Sequence, residues 1–255
     1  MKLGLRCDIC FEQGHKRSRQ IVEQVGGNFM KKRLLQVIVI IASMFLLSFN
    51  SVPQNVTAAT PYTDLKVDGW YYSAISDLHN KGIVFGYNNS KQYKPNQSAN
   101  RGETAQFIVN ALNLDTTNVQ DPGFTDVPKS HPYYKAIAVL ANEGIINGVG
   151  NNKFNPSGNL QRVQIANIIT KAFSLEMSNT TKSKFVDVNS FAERAKNPNY
   201  IKYVETLVDY GIASGKKPTL FAPSESVTRA ELAVFLNKTL KATDTDTDFE
   251  VIGVE

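Results

Sequence analysis

The sequence predicts a mainly α fold: three helix–loop–helix repeats packed about a shared axis, with short extended segments in their loops. Three observations predict it. One set of aromatic, aspartate, glycine and proline landmarks occurs three times between residues 62 and 231. Within each copy, apolar residues recur on stripes at helical spacing. The 255 residues are 42% hydrophobic and 20% charged, enough apolar material for a core and too much for a disordered or collagen-like polymer.

In chain order, residues 1–29 read as an extension upstream of a true start at Met30. Met30-Lys-Lys-Arg33 then supplies a basic segment. Leu34 to Phe49 forms an apolar run broken only by Gln36, Ser43 and Ser48, and Val56-Thr-Ala58 or Thr57-Ala-Ala59 offers a small-residue cleavage site. Residues 30–59 are therefore expected to be a secretory signal peptide, because a spanning helix needs about 20 apolar residues. No stable transmembrane span is expected after cleavage. Cys7, Cys10 and His15 offer half of a zinc site, but a four-coordinate site needs a second ligand pair and the sequence has no other cysteine. No metal or cofactor is expected, and a mature chain without cysteine has to be held by packing.

The net charge of +5 belongs to the leader. Residues 1–29 carry +2, residues 30–59 carry +3, and residues 60–255 hold 20 basic and 20 acidic side chains. A neutral body offers no broad basic footprint, so nucleic acid is not an expected partner.

The three copies are assigned to residues 60–119, 120–181 and 182–241, followed by an acidic tail at 242–255. Copy one opens Tyr62-Thr-Asp64-Leu, passes Gly82-Ile83, Gly86 and Tyr93-Lys-Pro95, and closes Asn100-Arg101-Gly102-Glu103. Copy two runs from Phe124-Thr-Asp126-Val through Gly144-Ile145, Gly148 and Phe154-Asn-Pro156 to Gln161-Arg162-Val163-Gln164. Copy three runs from Phe185-Val-Asp187-Val through Gly211-Ile212, Gly215 and Phe221-Ala-Pro223 to Thr228-Arg229-Ala230-Glu231, with six extra residues between its aspartate and its first glycine.

In the first helix of each copy, Ala74, Ile75 and Leu78, or Ala136, Ile137 and Leu140, form one buried stripe. Gly82, Gly144 and Gly211 stand where a helix ends on a left-handed residue. The second glycine and the aromatic-X-Pro triplet give a turn and a short extended piece, since proline rules out a central strand. A second helix starts at the closing tetrapeptide, where Thr228-X-X-Glu231 is a capping box and Asn100-X-X-Glu103 a variant of it. A hairpin of about 50 residues buries too little surface to be secure alone, so the three are expected to share a core.

These landmarks closely resemble the S-layer homology domain, whose pattern runs Phe-X-Asp-Val, Leu-X-X-X-Gly-Ile-X-X-Gly, Phe-X-Pro and Thr-Arg-Ala-Glu. The resemblance spans about residues 62–241. It implies a pseudo-three-fold bundle with ligand grooves between repeats. It also implies an exported module of the bacterial cell wall or cell surface, held there non-covalently by secondary cell-wall polysaccharide that carries pyruvate ketals. Copy two departs from the pattern at Gln161-Arg-Val-Gln164, which is expected to weaken its cap and removes a carboxylate. The insertion is expected to reshape the third groove.

An arginine in the first turn of a helix opposes the helix dipole unless an anion lies near, so Arg101, Arg162 and Arg229 are the lead ligand candidates. A guanidinium grips a carboxylate through two parallel hydrogen bonds. Glu103 and Glu231 are ligand candidates beside them, and pairing of Arg101 and Arg229 with Glu103, Glu231 or the opening aspartates is the competing reading. Asp64, Asp126 and Asp187 are candidates for sugar hydroxyls or, equally, loop caps. Gly82, Gly144 and Gly211 are primarily structural, with close ligand approach second. Trp70 reads more readily as a core anchor than as a sugar platform.

No catalytic constellation is evident: His79 and His131 lack a nucleophile or metal-ligand spacing, and the repeated carboxylates are explained by caps and turns. The alternatives are an accessory module of a wall-associated glycoside hydrolase or a lattice component of an S-layer. Asp244, Asp246 and Asp248 mimic a calcium loop, but Phe249 stands where glycine is needed, so a solvated tail is expected. Oligomeric state is not legible.

Overall fold

The computed structural model describes residues 62–247, with the side chains of the last three left aside. The expected signal peptide, the Cys7–Cys10 pair and Asp248 onward lie outside the described residues. Seven α-helices are present among the described residues, and the only β pairing there is isolated bridges. Repeat one contributes α1 (Tyr72–Asn80) and α2 (Arg101–Ala111), and repeat two contributes α3 (Tyr134–Asn142) and α4 (Arg162–Ala172). Repeat three contributes α5 (Val186–Arg194), α6 (Asn199–Asp209) and α7 (Arg229–Thr247).

The two helices of a repeat are not each other's main partners. α3 packs on α2 of the repeat before it, α6 packs on α4, and α1 packs on α7, so the first and last repeats close the set. α7 also touches α2 and α4 near the centre. The predicted stripes supply the core: Ile75, Leu78, Ile137, Leu140, Val204 and Leu207 from the first helices are fully buried. Ile108, Ile169 and Leu236 face them from the second helices, also fully buried. Each apolar face is thus covered by a neighbouring repeat, as the small size of one hairpin demands.

At the centre, the residues just before the second helices form a closed ring. Ala99 N–H donates to the Val227 carbonyl (2.8 Å), Val227 N–H to Leu160 (2.8 Å), and Leu160 N–H to Ala99 (3.2 Å). All three side chains are fully buried, so these main-chain groups could not turn to water. The ring satisfies them mutually and fixes the pseudo-three-fold axis.

Each opening aspartate holds its own loop. Asp64 accepts the N–H groups of Tyr93 and Lys94, Asp126 those of Phe154 and Asn155, and Asp187 those of Phe221 and Ala222, all at 2.7–3.0 Å. The second residue of each pair, Lys94, Asn155 or Ala222, sits in the left-handed region, at φ between 55° and 63°. The carboxylate therefore pins a conformation that a non-glycine residue resists.

The two glycines of each copy are needed for different reasons. Gly144 has φ +66° and open space where a Cβ would point. Gly148 has ordinary φ, but a Cβ there would lie 2.7 Å from the Lys153 carbonyl and 2.8 Å from the Phe124 ring.

The six-residue insertion becomes part of α5, whose C-terminal end leads directly into α6. The acidic tail is not wholly a tail: α7 continues through Thr247, so Asp244 and Asp246 lie on helical backbone rather than in a calcium-type loop. The altered tetrapeptide of copy two keeps its cap, because Gln164 Oε1 accepts the Gln161 N–H at 2.9 Å as a glutamate would.

Gly144→Ala is expected to cost about 1 kcal/mol of stability, and Gly144→Asn less, because asparagine tolerates left-handed backbone. Gly148→Ala is expected to cost about 2 kcal/mol or more, and Gly148→Asn no less, because the obstacle there is space. Asp126→Ala is expected to cost about 2 kcal/mol by releasing two N–H groups, with Asp126→Asn recovering part of it. Urea denaturation of the variants reads all six values.

Candidate functional site

The three arginines start in the first turn of α2, α4 and α7, and each reaches into the next repeat. Arg101 donates from Nε to the Phe154 carbonyl (2.9 Å) and from Nη2 to Asn147. Arg162 does the same to Phe221 (2.9 Å) and Ser214 (3.2 Å), and Arg229 to Tyr93 (2.6 Å) and Phe85 (2.8 Å). The guanidinium carbons also lie 4.4–4.7 Å from the ring centroids of Phe154, Phe221 and Tyr93. The main chain repeats the gesture: N–H groups of Arg101 and Gly102 donate to Gly158 and Pro156, those of Arg162 and Val163 to Glu225 and Pro223, and those of Arg229 and Ala230 to Gln97 and Pro95.

This corrects the electrostatic premise of the sequence reading. The negative partner at each helix N-terminus is a set of carbonyl oxygens from the neighbouring aromatic-X-Pro loop, so no external anion is required there. The arginines are 7%, 3% and 0% exposed in chain order. Burial holds all three guanidinium groups below the usual arginine value.

The third nitrogen separates the copies. Arg162 Nη1 donates to Glu231 Oε1 at 3.1 Å, and Arg229 Nη1 pairs with Glu103 Oε1. Glu103 thus pairs with Arg229, whereas Glu231 pairs with Arg162, a pairing the sequence reading did not name. Glu231 closes its capping box as well, accepting the Thr228 N–H at 2.9 Å. The corresponding residue facing Arg101 is Gln164, and Arg101 makes no ion pair among the described residues.

Two cavities of about 400 Å³ lie beside these arginines. One is lined by Arg101, Asn147, Gly148, Gln164, Asn167 and Tyr200, the other by Trp70, Arg162, Ser214, Lys216, Glu231 and Lys238. They are built from equivalent positions one repeat apart: buried arginine at the back, glycine turn on one side, second helix on the other, aromatic at the rim. Trp70 is 65% exposed, which overturns the core-anchor reading and leaves its ring available. At the third junction the Arg229 guanidinium is enclosed by the rings of Tyr93, Phe107 and Tyr87, 4.5–5.7 Å away.

Gly82, Gly144 and Gly211 line neither of these two cavities and serve to end helices. The glycines that do line them are Gly148 and Gly215, with Asn147, Asn167, Lys216 and Lys238 as further lining residues that the sequence reading passed over. Their signal was present in the spacing, since each stands at a fixed offset from a landmark glycine or arginine. The insertion leaves both cavities alone: α5 supplies Arg194 to a separate space of about 390 Å³ beside Lys217, Ala222 and Glu225. His79 Nδ1 is hydrogen-bonded to the Tyr62 hydroxyl at 3.0 Å, and His131 Nδ1 accepts the Tyr133 N–H at 3.2 Å.

A profile of the S-layer homology domain matches residues 61–105, 123–166 and 195–233. An S-layer protein of Bacillus thuringiensis subsp. finitimus is 30% identical over 191 residues, covering 74% of this chain and 22% of the relative. An amylopullulanase of Thermoanaerobacterium thermosulfurigenes is 29% identical over 203 residues, 76% of this chain and 10% of the enzyme. An exoglucanase of Acetivibrio thermocellus is 30% identical over 179 residues, 69% of this chain and 16% of the enzyme. The chain thus spans a fifth or less of the length of two of these relatives and slightly more of the third. Three tandem matches, each coinciding with one arm of the arginine-linked ring, make the chain a member of the S-layer homology domain family.

Proposed function

We propose that this chain is a non-catalytic anchor that holds itself or a partner on the bacterial cell wall by binding secondary cell-wall polysaccharide with pyruvate-ketal sugars. It works at the cell surface, and the occurrence of related repeats in S-layer proteins and in enzymes named amylopullulanase and exoglucanase supports attachment as the shared task. The observation that carries the reading is the pair of inter-repeat cavities, each with a buried guanidinium behind and an aromatic ring at the rim. A saccharide has an apolar face for the ring and oxygen acceptors for the guanidinium, so the two groups together suit a sugar.

The repeated aspartates favour attachment over hydrolysis. Glycoside hydrolysis needs a proton-donating carboxyl opposite a second free carboxylate. Asp64, Asp126 and Asp187 each spend both oxygens on loop N–H groups. No helix among the described residues is long and apolar enough to cross a membrane.

Wild-type protein is expected to sediment with native bacillus wall sacculi and to be released when pyruvate is stripped from them by mild acid. Trp70→Ala is expected to reduce retention severalfold with no loss of thermal stability, because the ring is exposed. Equal retention on native and stripped sacculi would remove the pyruvate reading, and no retention on either would remove the anchoring one.

A further inference from the structure

Repeats one and two pass from their opening aspartates to α1 and α3 without an intervening helix, whereas repeat three inserts α5. Arg194, in the last turn of α5, lines a space of about 390 Å³ together with Lys216, Lys217 and Glu225 from the loop that follows α6. Set on the glycine and proline of each loop, Lys216, Lys217 and Glu225 correspond to Val149, Gly150 and Gly158 in copy two and to Tyr87, Asn88 and Gln97 in copy one. These four charges are therefore peculiar to repeat three, and they meet at one place.

The charges there do not cancel. Asp187, which lines the same space, spends both oxygens on the N–H groups of Phe221 and Ala222, and Glu225 takes Lys216 at 2.6 Å. Arg194 and Lys217 are exposed and stand in no ion pair among the described residues. A cation in the last turn suits the dipole of α5, yet it leaves the donors of the guanidinium unspent. Leu220 and Pro223 add apolar surface beside those donors.

The space also adjoins the Arg162 cavity. Lys216 lines both, and its ammonium lies between a carboxylate of each, 2.6 Å from Glu225 and 3.5 Å from Glu231. A chain seated beside Arg162 and Trp70 is thus led past Lys216 toward Arg194. A small inorganic anion would use the two free cations and leave Leu220 and Pro223 uncovered. A sugar unit answers both, with oxygens for the donors and a C–H face for the apolar pair.

Resting on the wall-anchoring reading, we propose that the space beside Arg194 is a second saccharide subsite. It continues the Arg162 cavity past Lys216, with Arg194 and Lys217 donating to the oxygens of the next part of the chain. The insertion in repeat three thereby lengthens the stretch of polysaccharide that one repeat holds.

The test reads the dependence of affinity on chain length. The probes are disaccharide and hexasaccharide fractions of the wall polysaccharide, prepared from the sacculi that retain the protein and separated by gel filtration. Titration calorimetry on wild type is expected to show the hexasaccharide binding about tenfold tighter than the disaccharide, since two linked subsites reinforce each other. The double variant Arg194→Ala, Lys217→Ala is expected to lose most of that gain while its disaccharide affinity and thermal melting stay at wild-type values, because both side chains are exposed. An undiminished length gain in the double variant overturns the subsite, and so does an equal loss of affinity for both fragments at unchanged melting. If wild type is retained on sacculi and binds both fragments equally, anchoring stands and the subsite falls. If wild type binds neither fragment and is not retained, both fall.

Discussion

The structure depends on one repeated interaction: a guanidinium crossing from the start of one helix to the carbonyl of an aromatic residue in the next repeat. Arginine suits this because its planar fork offers several donors in fixed directions, while a lysine offers a single compact charge. Two nitrogens bind main chain, the flat face meets the aromatic ring, and the adjacent N–H groups finish the task on the proline carbonyl. Helix dipole, loop and ring are satisfied together. The arginine of one copy and the Phe-X-Pro of another are two halves of one joint.

That joint also lines the two inter-repeat cavities. With Nε and Nη2 committed to the loop, only Nη1 remains to address what lies outside, and its freedom is decided one helical turn into the neighbouring helix. Repetition thus builds three equivalent positions, and single substitutions separate them: aromatic enclosure around Arg229, an internal carboxylate with an exposed indole near Arg162, and neutral amides around Arg101. Chemistry can diverge here without disturbing the frame, because the frame uses different nitrogens of the same side chain.

Much of this was legible from one dimension. Glycine spacing located the helix ends, and the stripes at Ile75, Ile137 and their equivalents identified the buried faces, because both signals are local in sequence. What could not be read was which copy a side chain addresses. Arg101 sits two residues from Glu103, yet its contacts are 46 and 53 residues away, and Glu103 pairs with Arg229. Trp70 misled for a similar reason: a large apolar residue normally buries, and only the placement of repeat one beside repeat three leaves it at a rim. The cap on α4 was underestimated because an amide oxygen accepts the same N–H that a carboxylate does.

The contact of α1 with α7 gives the assembly no terminal unit. In an open array the outermost repeat can peel away by breaking a single boundary, whereas here detaching any arm has to rupture two. For a tether on a growing envelope that difference is mechanical. A pull on one arm is opposed at two boundaries at once instead of unzipping them in turn.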